Sequence, residues 1–231
     1  MEITFTLHAN TEMLARELIS KVVPPLRPDD EVARALAWMD EFKVSHLPVV
    51  DGKNFLGLIS EDNILDGAKE DTVIASKEVL NRAYVLESQH IYYVIRKLAA
   101  TDLSVVAVLD SAQNYLGCIT LSDLVTKFEE LAVINQPGGI IVIQFKKNDY
   151  SLAQVAHVVE SNNAKILSSY VFERPETGML ELTLKVNREE VGSIVQGLER
   201  YDYQVLAFFQ ESAQLEDLKG RYDELMRYIN I

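Results

Sequence analysis

The sequence predicts an α/β (α+β) protein. It should hold a tandem repeat of helix–strand–strand–helix units, then a ferredoxin-like βαββαβ module, then a C-terminal helix. Three observations predict this. A block of the first half recurs at a fixed offset. Apolar residues of the second half switch between helical and strand periodicity in one particular order. The last residues carry an apolar seam.

The repeat comes first because it organises the most chain. Asp29–Asp51, DDEVARALAWMDEFKVSHLPVVD, matches Ser88–Asp110, SQHIYYVIRKLAATDLSVVAVLD, at an offset of 59 positions. Val32, Leu36 and Met39, or Ile91, Ile95 and Leu98, form an apolar helical stripe. Asp29 or Asp30 is placed to cap the first helix. The runs Leu47–Val50 and Val105–Leu109 suit buried strands, and Asp51-Gly52 and Asp110-Ser111 suit tight turns. A second strand follows, Phe55–Ile59 or Tyr115–Ile119, and a helix opens at Ser60 or Thr120. Pro24-Pro25-Leu26 and Ala83-Tyr84-Val85 precede the two copies as extended segments.

These residues resemble a tandem pair of cystathionine-beta-synthase (CBS) domains, over roughly residues 12–128. The resemblance is carried by LPVVD (Leu47–Asp51) and by a Gly-apolar-apolar-Ser/Thr-x-x-Asp run. That run is intact in the second copy, from Gly117 to Asp123. The first copy, Gly57 to Asn63, has Asn63 in place of the acid, and Ala107 replaces the proline in the second copy.

Pro137-Gly138-Gly139 breaks the pattern. Ile140–Phe145 reads as a strand, and Leu152, Val155, Ala156 and Val159 as a helical stripe. Lys165–Glu173 reads as a strand, and Pro175 to Gly178 as a turn. Leu180, Leu182, Leu184 and Val186 alternate with Glu181, Thr183 and Lys185, a strand with one wet face. A stripe of Val191, Ile194, Val195 and Leu198 and a strand Val205–Phe209 complete βαββαβ. After a CBS pair, this order resembles an ACT domain, in the architecture of acetoin-utilisation B-type regulatory proteins. In the loop Lys146–Ser151, Asp149 matches the acid of amino-acid-binding ACT domains, and their glycine is missing. In the tail, Leu215, Leu218, Tyr222, Leu225 and Ile229 step by three and four. That seam fits a helix packed on its own chain or on a partner. The expected domains are residues 1–68 (first CBS repeat with an N-terminal helix), 69–132 (second repeat), 138–211 (ACT-like) and 212–231 (C-terminal amphipathic helix).

The CBS resemblance implies that Thr120 and Asp123 hold the phosphate side and the ribose of an adenosine ligand. A carboxylate accepts both donors of a ribose diol, and a helix N-terminus offers free N–H groups to a phosphate. The same four residues fit a capping box, in which both side chains satisfy main-chain donors and bind nothing. Ala83, Tyr84, Val85, Val105 and Val106 are the adenine-slot candidates by family position, or ordinary core. Ser60 and Asn63 form a weaker second site. Arg82 and His46 are phosphate candidates, or solvated surface.

Charge and composition exclude several function classes. Residues 1–130 hold 12 basic and 21 acidic side chains, and residues 131–231 hold 10 and 14. Neither half offers a basic nucleic-acid footprint. Cys118 is the one cysteine, which points to a reducing compartment and a buried thiol. His8, His46, His90 and His157 show no metal-ligand spacing, and no Walker, G-x-S-x-G or dinucleotide glycine motif occurs. No apolar run approaches a membrane span, and MEITFTLHAN lacks a signal-peptide pattern. The expectation is therefore a cytoplasmic, non-enzymatic sensor with no required cofactor, no metal, and no nucleic-acid or membrane partner. Its ligand would be AMP, ADP, ATP, NADH, S-adenosylmethionine or a cyclic dinucleotide. The resemblance also implies a homodimer and leaves room for a regulated protein partner. The rival expectation is a structural dimerisation module with empty clefts.

Overall fold

The computed structural model describes residues 13–66 and 80–210. The expected C-terminal helix lies outside these residues. The chain divides into two compact units, Met1–Phe128 and Glu129–Ile231.

The first unit is doubled in detail. In copy one, α1 (Val32–Phe42) leads to the antiparallel strands β1 (His46–Asp51) and β2 (Asn54–Ser60), then to α2 (Glu61–Asp66). In copy two, β3 (Tyr84–Leu86) and α3 (Ile91–Thr101) lead to β4 (Val105–Leu109), β5 (Tyr115–Thr120) and α4 (Leu121–Leu131). Strand β4 pairs parallel with β3 and antiparallel with β5. Both leading helices have 11 residues and end on a left-handed residue, Lys43 and Asp102, again 59 apart. Leu26 bridges Val49 as Val85 pairs with Val108. Copy one makes only an isolated bridge here, and Pro24 and Pro25 supply no N–H to lengthen it. Asp30 does not cap α1. Its carboxylate accepts Arg27 N–H (2.7 Å) and pairs with Arg34 (2.7 Å), while the N-cap residue is Glu31, without a side-chain bond. In copy two His90 caps α3, its Nδ1 accepting Tyr92 N–H at 3.3 Å.

Both hairpins carry a bulge at the same place. Leu56 and Leu116 are left unpaired, beside Gly57 (φ +155°) and Gly117 (φ +158°). A side chain at either glycine would strike a crossing strand of chain. A Cβ on Gly117 would lie 2.3 Å from Ile19 Cγ2, and one on Gly57 would lie 2.7 Å from Leu80 Cβ. These crossings exchange the leading segments between copies. Ser20 N–H donates to Cys118 O (2.8 Å), and Ala15 N–H donates to Gln89 O (2.8 Å). Where an N-terminal helix is expected, the described residues form a 3-10 turn, Ala15–Leu18, which packs on β3 and β5 of copy two. Reciprocally, Asn81 bridges Leu58 in copy one. The copies meet at equivalent residues: Asn54 bridges Asn114, and the Phe55 and Tyr115 rings stack at 6.1 Å.

The second unit has the elements β6 (Gly139–Phe145), α5 (Leu152–Ser161), β7 (Ile166–Glu173), β8 (Leu180–Val186), α6 (Gly192–Arg200) and β9 (Gln204–Phe209). Its antiparallel sheet runs β7-β8-β6-β9, the order of a βαββαβ split unit. Ile141, Ile143, Phe145, Leu182, Leu184 and Val186 face the helices and build the core. The unit begins inside α4, ahead of Pro137-Gly138-Gly139. Two bonds to the sheet explain why: Ser168 Oγ–H donates to Ala132 O (2.9 Å), and Lys185 Nζ donates to Ile134 O (2.9 Å).

Candidate functional site

The β5–α4 junction positions Thr120 and Asp123. Thr120 is the last residue of β5 and the N-cap of α4, and it is 5% exposed. Asp123 N–H donates to Thr120 Oγ1 (3.0 Å). In return Asp123 Oδ2 accepts Thr120 N–H (3.1 Å) and the Thr120 hydroxyl (2.7 Å). This is a reciprocal capping box. It uses one carboxylate oxygen twice and leaves Oδ1 without a hydrogen-bond partner among the described residues. The carboxylate is partly exposed, so that oxygen stays available to a donor from outside.

Copy one repeats the cap in neutral form. Asn63 N–H donates to Ser60 Oγ (3.1 Å), and the Ser60 hydroxyl donates to Asn63 Oδ1. Here the amide's one oxygen is committed, and what remains is an NH₂ donor.

The other expected site residues do not gather at this mouth as open surface. Thr120 pairs with Val105 and Cys118 with Ala107 across β5–β4, and Ala107 pairs with Tyr84 across β4–β3. Tyr84 therefore lies on the opposite edge strand from Thr120. Val105 and Val106 are fully buried, and Ala83 and Val85 are nearly so. Val105 packs with Cys118 in a core shared with copy one. Only Tyr84 of these five reaches solvent, at 37% exposure. Tyr84 and Val85 line a cavity of about 550 Å3 whose far wall is α3; Thr120 and Asp123 are not on it.

His46 is neither a surface group nor a neighbour of another histidine. It sits half-buried at the seam between copies. Ser104 Oγ lies 3.1 Å from its Nδ1, and Ser104 N–H points at the same atom (3.4 Å). Nδ1 is thus an acceptor, and the neutral ring carries its proton on Nε2. Burial holds this imidazole below its usual 6.5, against the opposing pull of Asp102 and Asp62. Ser104 is not among the site residues that the sequence pattern suggests. It also accepts Ser45 N–H at its Oγ (3.0 Å), and its carbonyl accepts Leu121 N–H (3.0 Å), the first residue of α4. The signal was present, since Ser45 and Ser104 coincide at the repeat offset.

Arg82 donates to Phe55 O (3.3 Å) and is otherwise exposed. Burial pushes the Cys118 thiol up to about 12, so it is no nucleophile at neutral pH. His90 is spent on its cap, and His157 is exposed on α5. Among the described residues no group of three His, Cys, Asp or Glu could hold a metal ion. No described helix is long and apolar enough to cross a membrane. In the second unit, Asp149 closes a short 3-10 turn, Lys147–Asp149, and is exposed.

Comparison with known proteins bears on the first unit. A CBS-domain model matches residues 15–70. The matched stretch covers copy one with its leading segment. Inosine-5'-monophosphate dehydrogenase of Methanocaldococcus jannaschii is 28% identical over 116 residues, 49% of this chain. Those residues make up 23% of that enzyme, so the chain spans about a quarter of this curated relative. Among solved structures, a CBS domain pair/ACT domain protein from Thermotoga maritima aligns with 51% of this chain and 98% of its own, at 18% identity and a TM-score of 0.45. CBSX2 in complex with AMP aligns with 51% of this chain and 97% of its own, at 19% identity and a TM-score of 0.45.

Proposed function

We propose that this chain is a non-enzymatic sensor that binds an adenosine-containing ligand at the Thr120–Asp123 mouth. One observation carries the reading: Asp123 completes its cap with Oδ2 alone, and among the described residues its Oδ1 has no hydrogen-bond partner on a partly exposed carboxylate. A ribose diol would donate to that oxygen, and the α4 N-terminus beside it would face the phosphate. By family position the adenine would lie against Ala83, Tyr84, Val85, Val105 and Val106, although Tyr84 stands on the opposite edge strand from Thr120 and Val105 and Val106 are fully buried. The pair Ser60 and Asn63 forms the weaker site, because it offers no anionic acceptor to the diol. The CBS-domain match in copy one and the in-register doubling of copy two support the module assignment.

The relay is a population shift. A ligand held at α4 favours one arrangement of the seam, because Ser104 binds both the α4 N-terminus and His46 of copy one. The second unit, read as ACT-like from its strand order, or a protein partner, would respond to that change. A cytoplasmic homodimer is part of this proposal. The ligand panel is AMP, ADP, ATP, NADH, S-adenosylmethionine and a cyclic dinucleotide. A second reading, a structural module with empty clefts, is favoured by the capping box itself, which satisfies Thr120 without any ligand.

Calorimetric titration with that panel separates the two. The sensor reading expects saturable heat, a higher melting temperature, and loss of both on Asp123→Asn. No heat and no thermal shift with any member leaves the structural reading standing.

A further inference from the structure

We propose that the groove between β3 and α3 is a second ligand site, for a small anion bearing an aromatic ring. Neither Thr120 nor Asp123 lines it; Tyr84 and Val85 are also the adenine candidates by family position, but the proposal does not depend on that ligand reading. The cavity measures about 550 Å3. On its β3 side stand Tyr84 and Leu86, and on its α3 side Tyr93, Arg96, Lys97 and Ala100. Its lining holds two cations and no carboxylate. That is unexpected in a stretch with 12 basic and 21 acidic side chains.

Among the described residues, neither Arg96 nor Lys97 forms an ion pair with a carboxylate. The Arg96 guanidinium instead lies 5.0 Å from the Tyr93 ring centroid, which orients the fork without neutralising it. Two tyrosine rings around one cavity, with two cations that have no ion pair among the described residues, fit an anion joined to a planar ring.

Copy one acts as an internal control on whether the fold requires these groups. The counterparts of Tyr93, Arg96, Lys97 and Ala100 are Arg34, Ala37, Trp38 and Glu41. There the single arginine is bound to Asp30 at 2.7 Å, and Ala37 replaces the cation. Helix α1 has the same length and the same left-handed end as α3. The cations of α3 are therefore not needed to build the helix. The core face of α3, Ile91, Val94 and Leu98, does not include them either.

The test titrates the full chain with phenyl phosphate, inorganic phosphate and benzyl alcohol at low ionic strength. Phenyl phosphate should bind saturably, and each half-probe should bind at least about tenfold more weakly. The double variant Arg96→Gln/Lys97→Gln should weaken phenyl phosphate by at least about tenfold, with its melting temperature held, since neither side chain is in the core. Tyr93→Leu should weaken phenyl phosphate and leave inorganic phosphate unchanged. Asp123→Asn should leave this binding intact, which separates it from any adenosine site. The proposal is overturned by absence of saturable binding, by equal affinity for inorganic phosphate, by retention of binding in the double variant, or by its loss in Asp123→Asn.

Discussion

A single carboxylate divides its labour at the β5–α4 junction, and the division can be tested. Asp123→Asn keeps an acceptor for Thr120 but removes the charge, so the cap should weaken by about 1 kcal/mol or less. Thr120→Val removes the hydroxyl from both of its bonds and should cost about 1–2 kcal/mol, or about 3–6 °C in melting temperature. A ligand-dependent thermal shift should vanish in the first variant despite its smaller stability loss. His46 supplies the pH dependence. Its folded-state value is depressed, so the folded chain resists protonation more than the unfolded chain does. This contribution is present above about pH 6.5 and is lost as pH falls through the folded value. The melting-temperature difference between the wild type and His46→Gln should therefore narrow or reverse from pH 7.5 towards pH 5, and a difference constant with pH would refute the assignment. At this scale the sequence showed the cap spacing plainly. Which oxygen the cap consumed, and that Asp30 would serve Arg27 and Arg34 rather than α1, were decided by backbone geometry that spacing does not encode.

Elements were the most legible level. Helix α3, strand β8 and the βαββαβ order all follow from where apolar side chains recur, because periodicity records which face is buried. It does not record which chain segment covers that face. Nothing in residues 13–20 announced that they would complete copy two, and an N-terminal helix belonging to copy one was the natural expectation. The glycines were the available clue. Gly117 needs both its positive φ and the space that Ile19 occupies. Gly117→Ala should cost about 2–4 kcal/mol, from backbone strain and overpacking together. Combining it with Ile19→Ala should cost less than the sum, because the second change removes the clash and not the strain. Urea denaturation of the four proteins in that cycle measures the difference; strict additivity would mean that the crossing is not where it is described.

For the first unit as a whole, the exchange makes the two copies one cooperative body. Removing residues 1–20 should accelerate amide hydrogen exchange in β5 and β3 before β1 and β2, because Ser20 and Ala15 bond to Cys118 and Gln89. Equal exchange in all four strands, relative to the intact chain, would show that the segment contributes nothing local. The same arrangement sets a timetable for synthesis. Ser20 leaves the ribosome long before Cys118, its hydrogen-bond partner, has been made. At about 5–20 residues per second, Ser20 waits on the order of 5–20 seconds for the strand it must join. The nascent protein has to carry that segment unpaired through most of the first unit's translation, and the closing move of that unit's folding belongs to residues made long before the strand they join.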